Sequence, residues 1–301
     1  MSRLRTVIAF SALLAVVVAG GQGQSALGAS SPAVATSVAP RAVAAATTAP
    51  VTRLSDFNRD GFTDLVARDG AGRLWLYPGN GSGGFKARHQ MGHGWGTGWI
   101  VTPGDVDGDG NGDVLLRDGA GRLWLYPGNG RSGLGARRQI GNGWNYYYLI
   151  TSAANLNGTG RPDLLARDPL GRLWLYPLSG NAVFGKRSFV TDDLTGLTLI
   201  LGPGDVSGDQ RADLVTRETS GRLRLYRGSG AGQVAPGTLV AASWAAYDGM
   251  VAPGNWDHSG GNDLLGWDSE GRLWFNPGNN AGGFGSRRQI GSGWNTMFDI
   301  G

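Results

Sequence analysis

The chain has 301 residues, with 54 Gly, 13 Pro and no Cys, which excludes a disulfide framework, a zinc–thiolate centre and a cysteine nucleophile. Three His (His89, His93, His258) are too few for a poly-histidine metal site. The net charge is +4, and all but two of the 27 basic residues are Arg, scattered without a run of like charge, so no basic stripe or module points to nucleic acid.

Residues 1–35 read as a secretory signal peptide. Arg3 and Arg5 precede an apolar stretch over 6–20, and Ala33-Val34-Ala35 is a small-residue cleavage site, with Ala26-Leu27-Gly28 as a second. The apolar run is shorter than the ~18–20 residues a spanning helix needs, so no membrane insertion is expected after cleavage, and the mature protein is expected to be extracellular. Residues 36–52 are rich in Ala, Val, Thr and Pro without periodicity, and read as a linker.

Residues 53–301 are five repeats. Gly72-Arg73-Leu74 recurs at Gly121, Gly171, Gly221 and Gly271. Asp64, Asp113, Asp163, Asp213 and Asp263 keep the same spacing, as do Trp95, Trp144, Leu194, Trp244 and Trp294. A period of about 50 residues indicates one supersecondary unit per repeat. Within the second unit, 113–118 is a short apolar run and 122–126 (Arg-Leu-Trp-Leu-Tyr) alternates with period two. A weaker strand follows at 137–141, and 144–153 supplies a fourth; no segment has a capped helical period.

Four short strands per repeat predict an all-β, five-bladed β-propeller, with blades at roughly 53–98, 99–148, 149–198, 199–248 and 249–301. Joining Gly301 to Arg53 restores the repeat count, so the C-terminal residues are expected to supply the missing inner strand of the first blade. That pairing would leave no open sheet edge.

The turn before each repeated Asp carries the metal chemistry. In the second unit, Asp105, Asp107, Asp109 and Asp113 occupy positions 1, 3, 5 and 9, with Gly110 at 6 and the Asn111 carbonyl at 7, an oxygen-rich set suited to Ca2+. The first unit offers Asp56, Asn58, Asp60 and Asp64. The third has Asn155, Asn157 and Thr159 before Asp163. The fourth has Asp205, Asp209 and Asp213 with Gln210 in place of the Gly, and the fifth has Asp257 and Asp263. Position 12 is Ala67 or Leu116, not the Glu of an EF-hand. Without an ion, such loops would be Asx turns held by side-chain-to-backbone hydrogen bonds.

The Asp-x-Asp-x-Asp-Gly-x-x-Asp loop followed by an apolar strand resembles the FG-GAP/VCBS repeats of integrin-type propellers and of secreted actinobacterial proteins. The Ile140-Gly141-Asn142-Gly143-Trp144-Asn145 segment and the five-fold count are also similar to tachylectin-type sugar-binding propellers, which lack the acidic loops. The resemblance implies calcium-binding loops and a partner that is a glycan or an extracellular protein.

The repeated Trp75, Trp124, Trp174 and Trp274 are expected between blades. The non-repeated loop aromatics Trp99, Tyr146, Tyr147, Tyr148 and Trp256 are the candidates for glycan contact. Arg224 and Arg227 break the pattern of the fourth unit. No Gly-x-Ser-x-Gly or His-Glu-x-x-His occurs, and Glu is present only at Glu218 and Glu270, so a non-catalytic protein is expected.

Overall fold

The computed structural model describes residues 55–192, 194 and 196–301. The signal and linker readings at 1–52 lie outside the described residues. The five repeats form the five antiparallel sheets of a β-propeller.

From the centre outwards, the second blade runs Trp99–Gly104, Asp113–Arg117, Leu123–Tyr126 and Arg138–Gly141. The third runs Leu149–Ser152, Asp163–Arg167, Leu173–Ser179 and Ser188–Thr191, with an added two-residue strand, Val183–Phe184. The fourth runs Leu197–Gly204, Asp213–Glu218, Leu223–Tyr226 and Thr238–Ala241, and the fifth Tyr247–Gly254, Asp263–Asp268, Leu273–Asn276 and Arg288–Gly291. The first blade takes its innermost strand, Met297–Ile300, from the end of the chain, followed by Leu65–Asp69, Leu74–Tyr77 and His89–Gly92. Residues 297–300, which the repeat count leaves in the fifth unit, therefore lie in the first sheet. The Val66 N–H donates to the Gly301 carbonyl at 2.9 Å, the Gly301 N–H donates back at 2.9 Å, and Arg68 pairs with Asp299.

Burial follows position in the blade. The second strand lies between neighbouring sheets, so Leu65–Asp69 is buried on both faces. The third alternates, with Leu74 and Leu76 buried and Trp75 and Tyr77 half-buried. Between the third and outermost strands, the register slips at the same point in every blade, after Leu74, Leu123, Leu173, Leu223 and Leu273. Such slips bend the strand and add twist.

The core is five apolar clusters, each made by two adjacent blades. Leu74 and Leu76 meet Val114 and Leu116, and Leu123 and Leu125 meet Leu164 and Ala166. Leu173 and Leu175 meet Leu214, and Leu223 and Leu225 meet Leu264. The fifth cluster joins Leu273 and Phe275 to Leu65 and Ala67 and so closes the ring.

A Trp seals most of these gaps. Trp95 lies 4.4 Å from Tyr126, Trp144 4.7 Å from Tyr176, and Trp294 4.7 Å from Tyr77, centroid to centroid and always on the next blade. The segment 144–153, predicted as one strand, divides for this reason. Gly143, left-handed at φ 75°, opens a single 3-10 turn, Trp144–Tyr146, that drops the indole into the gap, and the strand begins only at Leu149.

Candidate functional site

At one end of the ring, the acidic loops join each innermost strand to the second strand. The ninth-position Asp ties its loop to a neighbouring turn. Asp113 is fully buried; its Oδ2 accepts the N–H of Val106 at 2.9 Å, and its Oδ1 accepts the N–H of Gly128 at 2.8 Å, from the turn after the third strand. Asp64 accepts from Phe57 and Gly79, Asp213 from Val206 and Gly228, and Asp263 from Trp256 and Gly278 in the same way. These carboxylates staple loop to turn. Burial pushes Asp64, Asp113, Asp163 and Asp263 up to about 7, against the pull of the backbone donors.

The loop 105–112 brings Asp105, Asp107 and Asp109 together, with one carboxylate oxygen of each within 4.8 Å of the others. It is the one such cluster among the described residues. Asp105 accepts the N–H groups of Gly108, Asp109 and Gly110, and Asp109 accepts those of Asn111. The loop is thus wound around its own side chains, but the Asp107 Oδ1 is buried with no hydrogen-bond partner. Burial, and then the charges of Asp109 and Asp105, push the Asp107 carboxyl up. The other Asp107 oxygen lies 3.7 Å from the exposed Arg138 guanidinium, and the three clustered carboxylates together fit a hard cation that would neutralise the group. Asn111 contributes a strut: its Nδ2 donates to Asp109 and to the Gly128 carbonyl, while its Oδ1 accepts Arg59 Nε at 2.6 Å from the neighbouring loop.

Among the described residues, the other loops lack the cluster of three carboxylates but keep much of this hydrogen bonding. In the first, Asp60 pairs with the Lys86 ammonium at 2.6 Å, so a side chain supplies the positive charge. Burial pushes Asp60 up, but Lys86, the Phe62 N–H and the Asn58 amide outweigh it and hold the carboxyl below its ordinary value. Asp56 accepts the Gly61 N–H and Asn58 that of Asp60. In the fourth, Asp205 binds the N–H groups of Gly208, Asp209 and Gln210, and Asp209 that of Arg211. In the fifth, Asp257 binds that of Ser259. Like the loop 105–112, each is held by Asx turns.

The aromatic candidates divide, Trp256 lying in an acidic loop and the other four at the opposite end. Trp99, the first residue of its innermost strand, is 37% exposed, with the Arg117 guanidinium 4.7 Å from its ring. Tyr148, one blade on, is 44% exposed with Arg167 at 5.3 Å, and Tyr146 beside it is exposed. Tyr147 and Trp256 are not surface residues. Tyr147 is 5% exposed, and its hydroxyl meets those of Tyr176 and Arg187's guanidinium in the gap between blades. Trp256 is 1% exposed and packs 5.0 Å from Phe85. It is the second residue of its loop, in register with Phe57, Val106, Leu156 and Val206, all core residues, and this alignment was the signal that it points inward.

Phe298, at the Trp99 position of the first blade, is the most open of these rings, at 68%. A cavity of about 320 Å³ opens beside Trp99, lined by Thr97, Gly98, Arg117, Asp118, Gly119 and Asp299.

One repeated constellation escaped the sequence reading. Asp69 and Asp268 end their second strands, and Asp118 and Asp168 directly follow theirs. Each accepts two N–H groups of the following turn on Oδ1, and an Arg Nε and a Trp indole N–H on Oδ2 (for Asp69: Ala71, Arg73, and then Arg73 and Trp75). In the fourth blade, Glu218 replaces Asp and accepts Arg224 Nε in place of an indole, so Arg224 is one half of a paired exchange. The Asp preceding Gly-Arg-Leu-Trp at the common spacing was the available signal.

Comparison with known proteins adds the following. No curated protein sequence matches the chain. Among solved structures, an Agrocybe aegerita lectin with specific recognition of non-reducing terminal N-acetylglucosamine aligns over 80% of this chain and 65% of its own, at 16% identity and a TM-score of 0.48. The lectin BP39L from Burkholderia pseudomallei aligns over 79% and 68%, at 14% identity and 0.48. BBS1N, solved in complex with ARL6DN, aligns over 74% and 62%, at 14% and 0.35. The chain thus spans about two thirds of the length of these structures. Residues 56–116, which carry the first two acidic loops and the strands between them, match the FG-GAP-like repeat.

Proposed function

We propose that the ring is a secreted, non-catalytic binding module for carbohydrate, with Ca2+ held at the loop 105–112. The observation that carries this reading is the cavity beside Trp99. Its indole offers a flat apolar face for the C–H face of a pyranose. Thr97 and Arg117 border it with a hydroxyl and a guanidinium suited to sugar hydroxyls, while Asp118 and Asp299, engaged by their own partners, shape the wall. The export signal read over 1–35 supports an extracellular setting.

Calcium stands apart from the sugar. Asp105, Asp107 and Asp109 lie at the other end of the ring, so the ion is a structural support: it removes the repulsion among three carboxylates and fixes the loop.

A glycan-array screen of the folded ring, with calcium and with EDTA, tests both parts. Saturable binding to one glycan class is expected, lost in Trp99→Ala and retained in EDTA below the melting transition. EDTA is expected to lower Tm by a few degrees, and Asp107→Asn to abolish that difference. Glycan binding that survives Trp99→Ala would overturn the site. No binding to any glycan would overturn the reading, and the exposed arc of Phe298, Trp99 and Tyr148 would then favour an extracellular protein partner.

A further inference from the structure

Trp75, Trp124, Trp174 and Trp274 hold a second Arg that the turn does not need. Arg88, Arg137, Arg187 and Arg287, each thirteen residues downstream, place their guanidinium groups 4.1, 4.4, 4.3 and 4.2 Å from the four indole rings. The turn residues Arg73, Arg122, Arg172 and Arg272 lie farther from the same rings, and each is ion-paired with the Asp of its turn. The closer four are exposed, and among the described residues none has a carboxylate partner. Each also donates to a Tyr hydroxyl, as Arg88 does to Tyr77 at 3.1 Å and Arg137 to Tyr126 at 3.2 Å. Stacking and these hydroxyl bonds, two of them for Arg187, orient the guanidinium plane, and an oriented guanidinium fork is suited to binding an oxyanion through two N–H groups.

The fourth blade supplies an internal contrast. Its indole position is Arg224, its stacking position is Gly237, and its turn Asp is Glu218. All three members of the unit differ together, and Arg224 spends its charge on Glu218 and donates to the Gly237 carbonyl. The stacked Arg and the indole thus form one unit, present in four blades and missing from one.

We infer that Arg88, Arg137, Arg187 and Arg287 are four equivalent anion-binding stations on the outer part of the ring, and that they bind an acidic polysaccharide through its regularly spaced carboxylates. This rests on the carbohydrate reading and narrows its ligand class. Equivalent cations repeated blade after blade complement a polymer that repeats its charge. Nucleic acid fits less well, because single strands bind by stacking bases on open aromatic faces, and these indoles are covered by guanidinium groups.

The test is binding of the full chain to polygalacturonate, with a neutral dextran and a single-stranded oligonucleotide alongside. Polygalacturonate is expected to bind with strong salt dependence. Arg88→Gln, Arg137→Gln, Arg187→Gln and Arg287→Gln are each expected to weaken it by about two- to fivefold, and the four together by at least about tenfold with a shallower salt slope, in a ring that still melts cooperatively. The triple substitution Glu218→Asp, Arg224→Trp and Gly237→Arg adds a fifth station and is expected to tighten binding. Unchanged polygalacturonate affinity in the fourfold variant would overturn the inference, as would equal affinity for the oligonucleotide. If array glycans bind at Trp99 and polygalacturonate does not bind, this inference falls while the carbohydrate reading stands. If no glycan of any charge binds, both fall.

Discussion

At the scale of single residues, the repeats expose which positions tolerate change and which are held by backbone geometry. The sixth position of the acidic loop is left-handed in every blade: Gly61, Gly110, Gly160 and Gly260 occupy it, and Gln210 adopts it at φ 69°. A side chain there costs about 1–2 kcal/mol, partly offset because Gln leaves the unfolded chain less freedom than Gly. Gln210→Gly is therefore expected to stabilise the ring by about 0.5–1 kcal/mol, read as a rise in the urea midpoint at constant m-value. Much of this scale was legible in the sequence. The loop carboxylates Asp105, Asp107 and Asp109 come together as their spacing predicts. The ninth-position Asp has a task the motif does not reveal: besides the Val106 N–H of its own loop, Asp113 accepts the N–H of Gly128, fifteen residues downstream across the blade. Tyr147 and Trp256 were misplaced for a related reason: lack of repetition does not place a side chain in solvent.

At the scale of the strand and the gap, the sequence period carried nearly the whole architecture, because each unit pairs mainly with itself. It did not show where the Trp of each unit points. That depends on a 3-10 turn set by one left-handed Gly and on an aromatic partner from the next unit. Trp294 is the informative case. It is buried and meets Tyr77 and Phe85 across the seam where the chain closes on itself. Trp294→Ala is expected to cost about 3–5 kcal/mol, as large aromatic deletions in a core do. Trp99→Ala, at an exposed position, should stay within about 1 kcal/mol. Thermal melts of the two variants check the contrast, and equal losses would contradict the assignment of Trp294 to the seam.

At the scale of the whole molecule, two sets of Asp oppose each other in pH. Asp268 is held down to about 2: burial pushes it up, but the Trp274 indole and Arg272 outweigh it, and Asp69, Asp118 and Asp168 are likewise held low by their turns. Their stabilisation is present above the ordinary carboxylate value near 4 and is lost as pH falls below it. Asp163, pushed up to about 7 by burial, acts in the other sense: its contribution is full below pH 4 and is lost as pH rises through 7. In EDTA, Tm is expected to peak near pH 4–5 and decline on both sides, and Asp163→Asn should flatten the neutral limb. A Tm independent of pH from 4 to 8 would contradict this account. The closing strand has a consequence for how the ring is reached. The Val66–Gly301 pairing spans the whole ring in sequence, so it closes a very long loop at a high entropic cost. Ser55 and Gly301 both hydrogen-bond to the start of the same strand, at Asp64 and Val66. A short linker between them, with the chain reopened between Gly98 and Trp99, makes all five blades continuous in sequence. Such a circular permutant keeps every native contact while lowering the contact order, and it is expected to refold faster at similar stability.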